Sequence, residues 1–218
     1  GGGAVAVLAD PDTNRTVTIR NADIRQNEAP TAGGIALVNV NLVLEDSVLD
    51  GNQTTTPQTP GAGAIGAVSN SVTQQVTITA STITNNVSMS EAGGIGAADV
   101  DLVIRTSGGI GLLGNQRNPI LTASSVTVAG NQSGSDGGGL AFDNAGFDLT
   151  NVTITGNQSG LQGGGIAVGA SAPGVQHAIT FSTIADNQSL SSGSNIAAQG
   201  EPISIQASLF SGGDGIAL

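Results

Sequence analysis

Asp99, Asp101 and Arg105, in the stretch ADVDLVIR, are the residues whose types and spacing come nearest to a reactive constellation. Side chains alternate along an extended strand, so these three share one face, opposite Val100, Leu102 and Ile104. Two carboxylates at i and i+2 can divide acid and base roles in glycoside hydrolysis when their environments split their pKa values. The same pair could hold Ca²⁺, but the chain has neither a D-x-[DN]-x-[DN]-G loop nor a repeated GGxGxD pattern. The plain reading is a solvated outer strand face, and no catalytic residue, cofactor or metal ligand is expected. His177, in GVQHAIT, has no second His and no Cys to complete a metal site or a nucleophile–base pair, and it reads as a strand or turn residue.

The elements that must position these residues follow from a repeat. Leu149–Ile166, LTNVTITGNQSGLQGGGI, reduces to an apolar residue, two residues, Asn, and a second apolar residue preceded by small ones. The frame recurs as Ile24/Asn27/Ile35, Leu49/Asn52/Ile65, Ile83/Asn86/Ile95, Val128/Asn131/Leu140, Ile154/Asn157/Ile166 and Ile184/Asn187/Ile196, with Leu209/Gly212 as a decayed last member. Asn to the next apolar residue is 8, 13, 9, 9, 9 and 9 residues. Such a unit is too short for two helices and carries turn residues, so each should be one coil of a solenoid. Val5, Ile35, Ile65, Ile95, Leu140, Ile166, Ile196 and Ile216 lie 30, 30, 30, 45, 26, 30 and 20 residues apart, which predicts about seven coils.

Thr16–Asn27, Asn41–Asn52 and Gln75–Asn86 alternate β-branched and polar residues as strands do. Aligning Ile24 with Leu49 sets Arg20 over Glu45 and Arg25 over Asp50, as solvated cross-strand ion pairs. Thr54–Gly61 carries two Pro and predicts a protruding turn. The 45-residue unit predicts an inserted loop at Thr106–Pro119, which brings Arg117 near Asp99, Asp101 and Arg105 and offers a partner-contacting surface. Gln26, Gly51, Asn85, Gly130, Gly156 and Asp186 precede the six asparagines and are mostly types that accept positive φ, so a tight corner is expected there. Repeated in register, that corner stacks Asn27, Asn52, Asn86, Asn131, Asn157 and Asn187 into an internal ladder. The resulting class is all-β, a single right-handed parallel β-helix over residues 1–218, since parallel crossovers wind right-handedly.

Sixteen acidic residues against five Arg and no Lys give a net charge of −11, which argues against nucleic acid and against anionic lipid. No apolar run is long enough to span a bilayer. With 34 Gly, four Phe and no Trp, Tyr or Cys, the core must be built of Val, Ile, Leu and Ala without disulfides. GGGAVAVLAD has no basic n-region and begins inside a repeat, so a mature fragment or a segment of a longer chain is expected. No polar cap precedes Gly1 or follows Leu218, which predicts either flanking coils or end-to-end self-association.

The paired elements [ILV]-x-x-N and G-G-[ILV] resemble the FxxN and GGA[ILV] repeats of the chlamydial polymorphic outer-membrane proteins. Units such as LTNVTITGNQSGLQGGGIAV are also similar to repeats of large bacterial surface proteins read as parallel β-helices. The resemblance covers essentially the whole chain, with Ile, Leu or Val where the chlamydial repeats prefer Phe. It implies an extracellular or cell-surface passenger region, serving adhesion or forming a stalk or filament, and it carries no catalytic residue across. Pectate-lyase-like polysaccharide lyases and hydrolases share the architecture and form the alternative, with a polysaccharide as partner. Their Lys/Arg and paired-Asp motifs have no counterpart here.

Seven N-x-[ST] sequons occur, at Asn14, Asn52, Asn86, Asn131, Asn151, Asn157 and Asn187, and five are ladder positions where a glycan would block the corner. The column Thr18, Val43, Thr77, Thr122, Asp148, Ala178, Ser204 is too irregular for an ice-binding face.

Overall fold

A computed structural model describes residues 2–11, 13–57, 61–69, 74–89, 93–98, 100–107, 110–113, 120–171, 173–213 and 216–217, the backbone alone for 100–107, 110–113 and 217. All regular structure among these residues is β, and every strand pair is parallel. Strands that follow one another in the chain lie in different sheets, while neighbours within a sheet come from successive coils. That is the arrangement of a β-solenoid.

The first sheet has nine strands, Val5–Leu8, Ile35–Val38, Ile65–Val68, Ile95–Ala98, Ile110–Leu113, Leu140–Asp143, Ile166–Val168, Ile196–Ala198 and Ile216–Ala217, stacked in that order. The second is built on Arg15–Arg20, Val40–Glu45, Gln74–Thr84, Val100–Ser107, Ile120–Ser124, Gly146–Thr150, His177–Thr180 and Ser204–Gln206. A third, six-stranded sheet consists of two-residue strands, Glu28–Ala29, Gln53–Thr54, Val87–Ser88, Gln132–Ser133, Gln158–Ser159 and Gln188–Ser189. A fourth has Thr127–Ala129, Thr153–Thr155, Thr183–Ala185 and Leu209–Ser211. Among the described residues six coils visit the third sheet.

The core is a set of aliphatic stacks, because register carries like residues onto like. Ile35, Ile65, Ile95, Leu140, Ile166 and Ile196 are each at most 1% exposed. Leu44, Ile78, Leu149 and Ile179 form a parallel column on the second sheet, each 0% exposed. Full burial of one such side chain is worth about 1.5–3 kcal/mol, which lets this interior do without Trp or Tyr. In register, the second position of each strand in the first sheet is Ala6, Ala36, Gly66, Gly96, Gly111, Ala141, Ala167, Ala197 and Ala217. The preceding turn folds over that position: a Cβ on Gly66 would lie 3.1 Å from the Ala32 Cβ, and one on Gly96 3.1 Å from that of Ala62.

The corner before each ladder residue adopts the left-handed conformation that the residue types suggested. Its φ is 54° at Gln26, 66° at Gly51, 53° at Asn85, 65° at Gly130, 63° at Gly156 and 55° at Asp186. The outward column read from sequence also stands, except that Val103 enters it between Thr77 and Thr122.

Three expectations need correction. The 45-residue unit is two coils: Ile95 pairs with Ile110 and Ile110 with Leu140, 15 and 30 residues apart. Among the described residues between Ile95–Ala98 and Ile110–Leu113 the one strand is Val100–Ser107, in the second sheet. Residues 106–119 are therefore not one projecting loop, since Thr106 and Ser107 continue a strand and Ile110–Leu113 forms another; 108–109 and 114–119 lie outside the described residues. On the third sheet this short coil has no strand, so Val87–Ser88 pairs directly with Gln132–Ser133. Second, the turn at Thr54–Gly61 begins one residue into a strand, with Thr54 paired to Ala29, and residues 58–60 are outside the description. Third, the decayed last member is shifted by one residue. Ile184 pairs with Phe210, which puts Gly213 in the asparagine column and Gly212, at φ 69°, at the corner.

Candidate functional site

Asparagine side chains bind the coils to one another in two runs. Asn27 Nδ2 donates to Asn52 Oδ1 at 2.9 Å, and Asn52 Nδ2 to Asn86 Oδ1 at 3.0 Å. The second run passes from Asn131 to Asn157 at 3.1 Å and from Asn157 to Asn187 at 3.0 Å. Each accepting oxygen also takes the backbone N–H of the preceding ladder residue, as Asn187 Oδ1 does from Asn157 N at 3.0 Å. Interior members donate their other amide proton to the coil before, Asn157 Nδ2 to Val128 O at 2.9 Å. Asn52, Asn86, Asn131, Asn157 and Asn187 are at most 1% exposed, and so are closed to a modifying enzyme in the folded chain. Asn27, in the first coil, is half-buried.

Asn195 completes the second run and was missed by sequence reading. It stands where other coils have a small residue before the apolar position, accepts from Asn187 Nδ2 at 3.0 Å, and donates to Ser211 O and Gly212 O. The signal was the Asn in SNI, at a place where GGI is the norm. Also missed was a serine column at the preceding corner. Ser47 Oγ accepts from Ala22 N, Ser81 Oγ from Ser47 N, Ser182 Oγ from Val152 N and Ser208 Oγ from Ser182 N, all at 3.0–3.1 Å.

The expected ion pairs form. Arg20 Nε reaches Glu45, and Arg25 binds Asp23 while its Nη1 lies 3.7 Å from Asp50 Oδ2. Both guanidiniums are held above their ordinary pKa by the carboxylate they bond. Asp50 is held below the ordinary carboxyl value of 3.8, first because Asn85 Nδ2 and Thr84 Oγ1 donate to it at 2.8 and 3.0 Å, and then through the charge of Arg25. These are exposed or half-exposed contacts and add little to stability individually.

The candidate cluster is only partly described. Asp101 and Arg105 lie on one strand, registered beside Gln75 and Thr79, while Asp99 and Arg117 fall outside the described residues. His177 is a core residue at 3% exposure, its Nε2 3.2 Å from Ala145 O and its ring 4.9 Å from that of Phe147. Among the described residues no group of three or more His, Cys, Asp or Glu could hold a metal ion, and no helix is long and apolar enough to cross a membrane.

Two grooves mark the outer surface. One, of about 310 Å³, runs over the first sheet along Ala141, Ala167 and Ala197, with Asp136, Asp143, Gln162 and Gln199 among its lining. Asp136 is positioned by accepting the Gln162 N–H at 2.9 Å. The other, of about 470 Å³, follows the third sheet across four coils and is lined by Gln132, Gln158 and Gln188 with Met89 and Leu190. No family model, no curated protein and no solved structure matches the chain.

Proposed function

We propose that this chain is a non-enzymatic extracellular surface module, an adhesin passenger or a segment of a stalk or filament. The observation that carries the reading is the use made of the chemically able groups. Among the described residues, His177 is enclosed in the core, Arg20 and Arg25 are engaged by carboxylates, and the ladder asparagines are used in joining coils. The outward surface of the described residues repeats from coil to coil over an aliphatic core, which suits contact. The repeat resemblance to bacterial surface proteins supports the cell exterior as its place, with a surface partner or a polysaccharide as ligand.

The alternative is a polysaccharide lyase or hydrolase, and Asp136 with Asp143 on one groove is the observation in its favour. A panel of neutral and acidic polysaccharides, assayed for new reducing ends and for unsaturated products, separates the two. Retention of polysaccharide without product supports the surface module. Turnover that disappears in Asp136→Asn/Asp143→Asn or in Asp101→Asn overturns it.

A further inference from the structure

The third sheet presents one outward strip with a distinct composition. Val87, Gln132, Gln158 and Gln188 follow one another in register, and their amides are chained, Gln132 Nε2 to Gln158 Oε1 and Gln158 Nε2 to Gln188 Oε1, both at 3.4 Å. Beside them runs a second column, Met89, Gly134, Gly160, Leu190, set by the bonds Gly134 N to Ser88 O, Gly160 N to Ser133 O and Leu190 N to Ser159 O. Its two glycines are enforced by space: a Cβ on Gly134 would lie 2.7 Å from Met89 O, and one on Gly160 2.3 Å from Gly134 O. The column is thus a trough with an aliphatic knob at each end, Met89 at 52% and Leu190 at 85% exposure. None of the twelve residues lining the groove is charged, in a chain of net charge −11.

We propose that this strip is a lateral contact between two copies of the chain, antiparallel and related by a two-fold axis lying along the Gln158–Gly160 strand. Such an axis reverses coil order and leaves each column facing itself. Gln158 then meets its own copy, Gln132 meets the partner's Gln188, and Leu190 of each copy enters the other's trough at Gly134. A two-fold contact must be self-complementary, and a knob one coil beyond the axis with a trough one coil before it meets that condition. The period argues for the same occupant. Amides repeating at the strand spacing of ~4.8 Å stay in phase over several steps only against another sheet of that spacing, as the amide ladders of packed sheets do. Charge argues likewise, because two acidic chains repel except where both are neutral.

The strip extends three coil steps, ~14 Å, so the contact falls well below the ~800 Å² per partner of a stable dimer. It is weak between free chains and strengthened where many copies stand side by side on a surface. The inference does not depend on what the remaining surface binds.

The chain has no Cys, which makes cross-linking a clean test. Under mild oxidation Gln158→Cys should form disulfide-linked dimers, increasingly so with protein concentration and about tenfold faster than Gln53→Cys, which sits in the same column three strand steps from the axis and is thereby held ~29 Å from its own copy. Adding Leu190→Asp, at an exposed position compatible with folding, should return Gln158→Cys to the control rate. Equal rates for the two single variants, or indifference to Leu190→Asp with the circular dichroism spectrum unchanged, would overturn the contact. So would a chain that stays monomeric by sedimentation at every concentration while a soluble neutral glycan protects the Gln158→Cys thiol, since the strip would then be a ligand site.

Discussion

Asn86 and Asn131 are consecutive members of the ladder column and do not bond to each other. Their strands are adjacent, Val87 beside Gln132, yet Asn86 Nδ2 turns to Leu49 O and Thr84 O, Asn131 Nδ2 turns to Ala129 O, and Asn131 Oδ1 has no partner. The short coil explains the failure. It adds a strand to the first and second sheets and none to the third, so the coils flanking it are spaced unequally around the solenoid. The ladder is dislocated there, and two stacks of coils meet.

Asn157→Ala should cost about 1–3 kcal/mol, since it strands the carbonyl of Val128 and the backbone N–H of Asn131 in the interior. Asn131→Ala removes an amide whose oxygen is already unbonded and should cost about half as much. Asn14→Ala, at an exposed site outside the column, should stay within ~0.5 kcal/mol. Urea denaturation of the three variants checks the order, and equal effects at positions 14 and 157 would remove the ladder from the account.

Cooperativity should divide at the same place. Solenoid stability is close to a sum of coil and nearest-neighbour terms, and the junction between the coils of Asn86 and Asn131 lacks the ladder term. Native-state hydrogen exchange should group the amides of residues 35–89 and those of residues 126–198 into separately opening sets. A single opening free energy across both would show the dislocation to be energetically silent.

Gly156→Ala and Gly164→Ala separate two causes of glycine use. At Gly156, φ is 63° and nothing lies within 4 Å of the added Cβ, so the cost should be the left-handed backbone alone, about 1–2 kcal/mol. At Gly164 the Cβ would meet Gln188 O at 2.2 Å, and the loss should be several-fold larger. Thermal melts of the two variants decide it, and a Gly156→Ala loss equal to that of Gly164→Ala would contradict this division.

Asp50 should make stability depend on pH in acid. Its carboxyl is held below the ordinary value in the folded chain, so the stabilisation is present above pH 3.8 and is lost as pH falls through the lower, folded value. Relative to Asp50→Asn, the wild-type chain should therefore lose stability as the pH is lowered below 3.8 and hold its advantage above it. A difference that does not change across that range would exclude the linkage.

Much of this fold was legible because a solenoid writes its cross-section into every repeat. The Asn-to-apolar spacing located the ladder, and the types at Gln26, Gly51 and Asp186 located its corner. The offset from Ile24 to Leu49 placed Arg20 over Glu45. The short coil stayed hidden although Gly108-Gly109-Ile110 repeats the G-G-[ILV] element, because no asparagine precedes it to mark a visit to the third sheet, and surplus length of that kind reads as a loop. Asn195 was hidden because it bonds across eight residues of chain, outside the period. The strip on the third sheet was missed although Gln132, Gln158 and Gln188 each follow a ladder asparagine, since alternation over two residues is too short to mark a face.

The most direct test of the surface-module reading is attachment without turnover. Inert beads carrying the folded chain, and matched beads carrying it unfolded, are passed over epithelial monolayers and over films of neutral and acidic polysaccharide, while the effluent is assayed for new reducing ends. The account predicts that at least one surface retains the folded-chain beads above the unfolded control, with no product in the effluent. Retention equal to the control on every surface, together with release of sugar from a polysaccharide film, would contradict it.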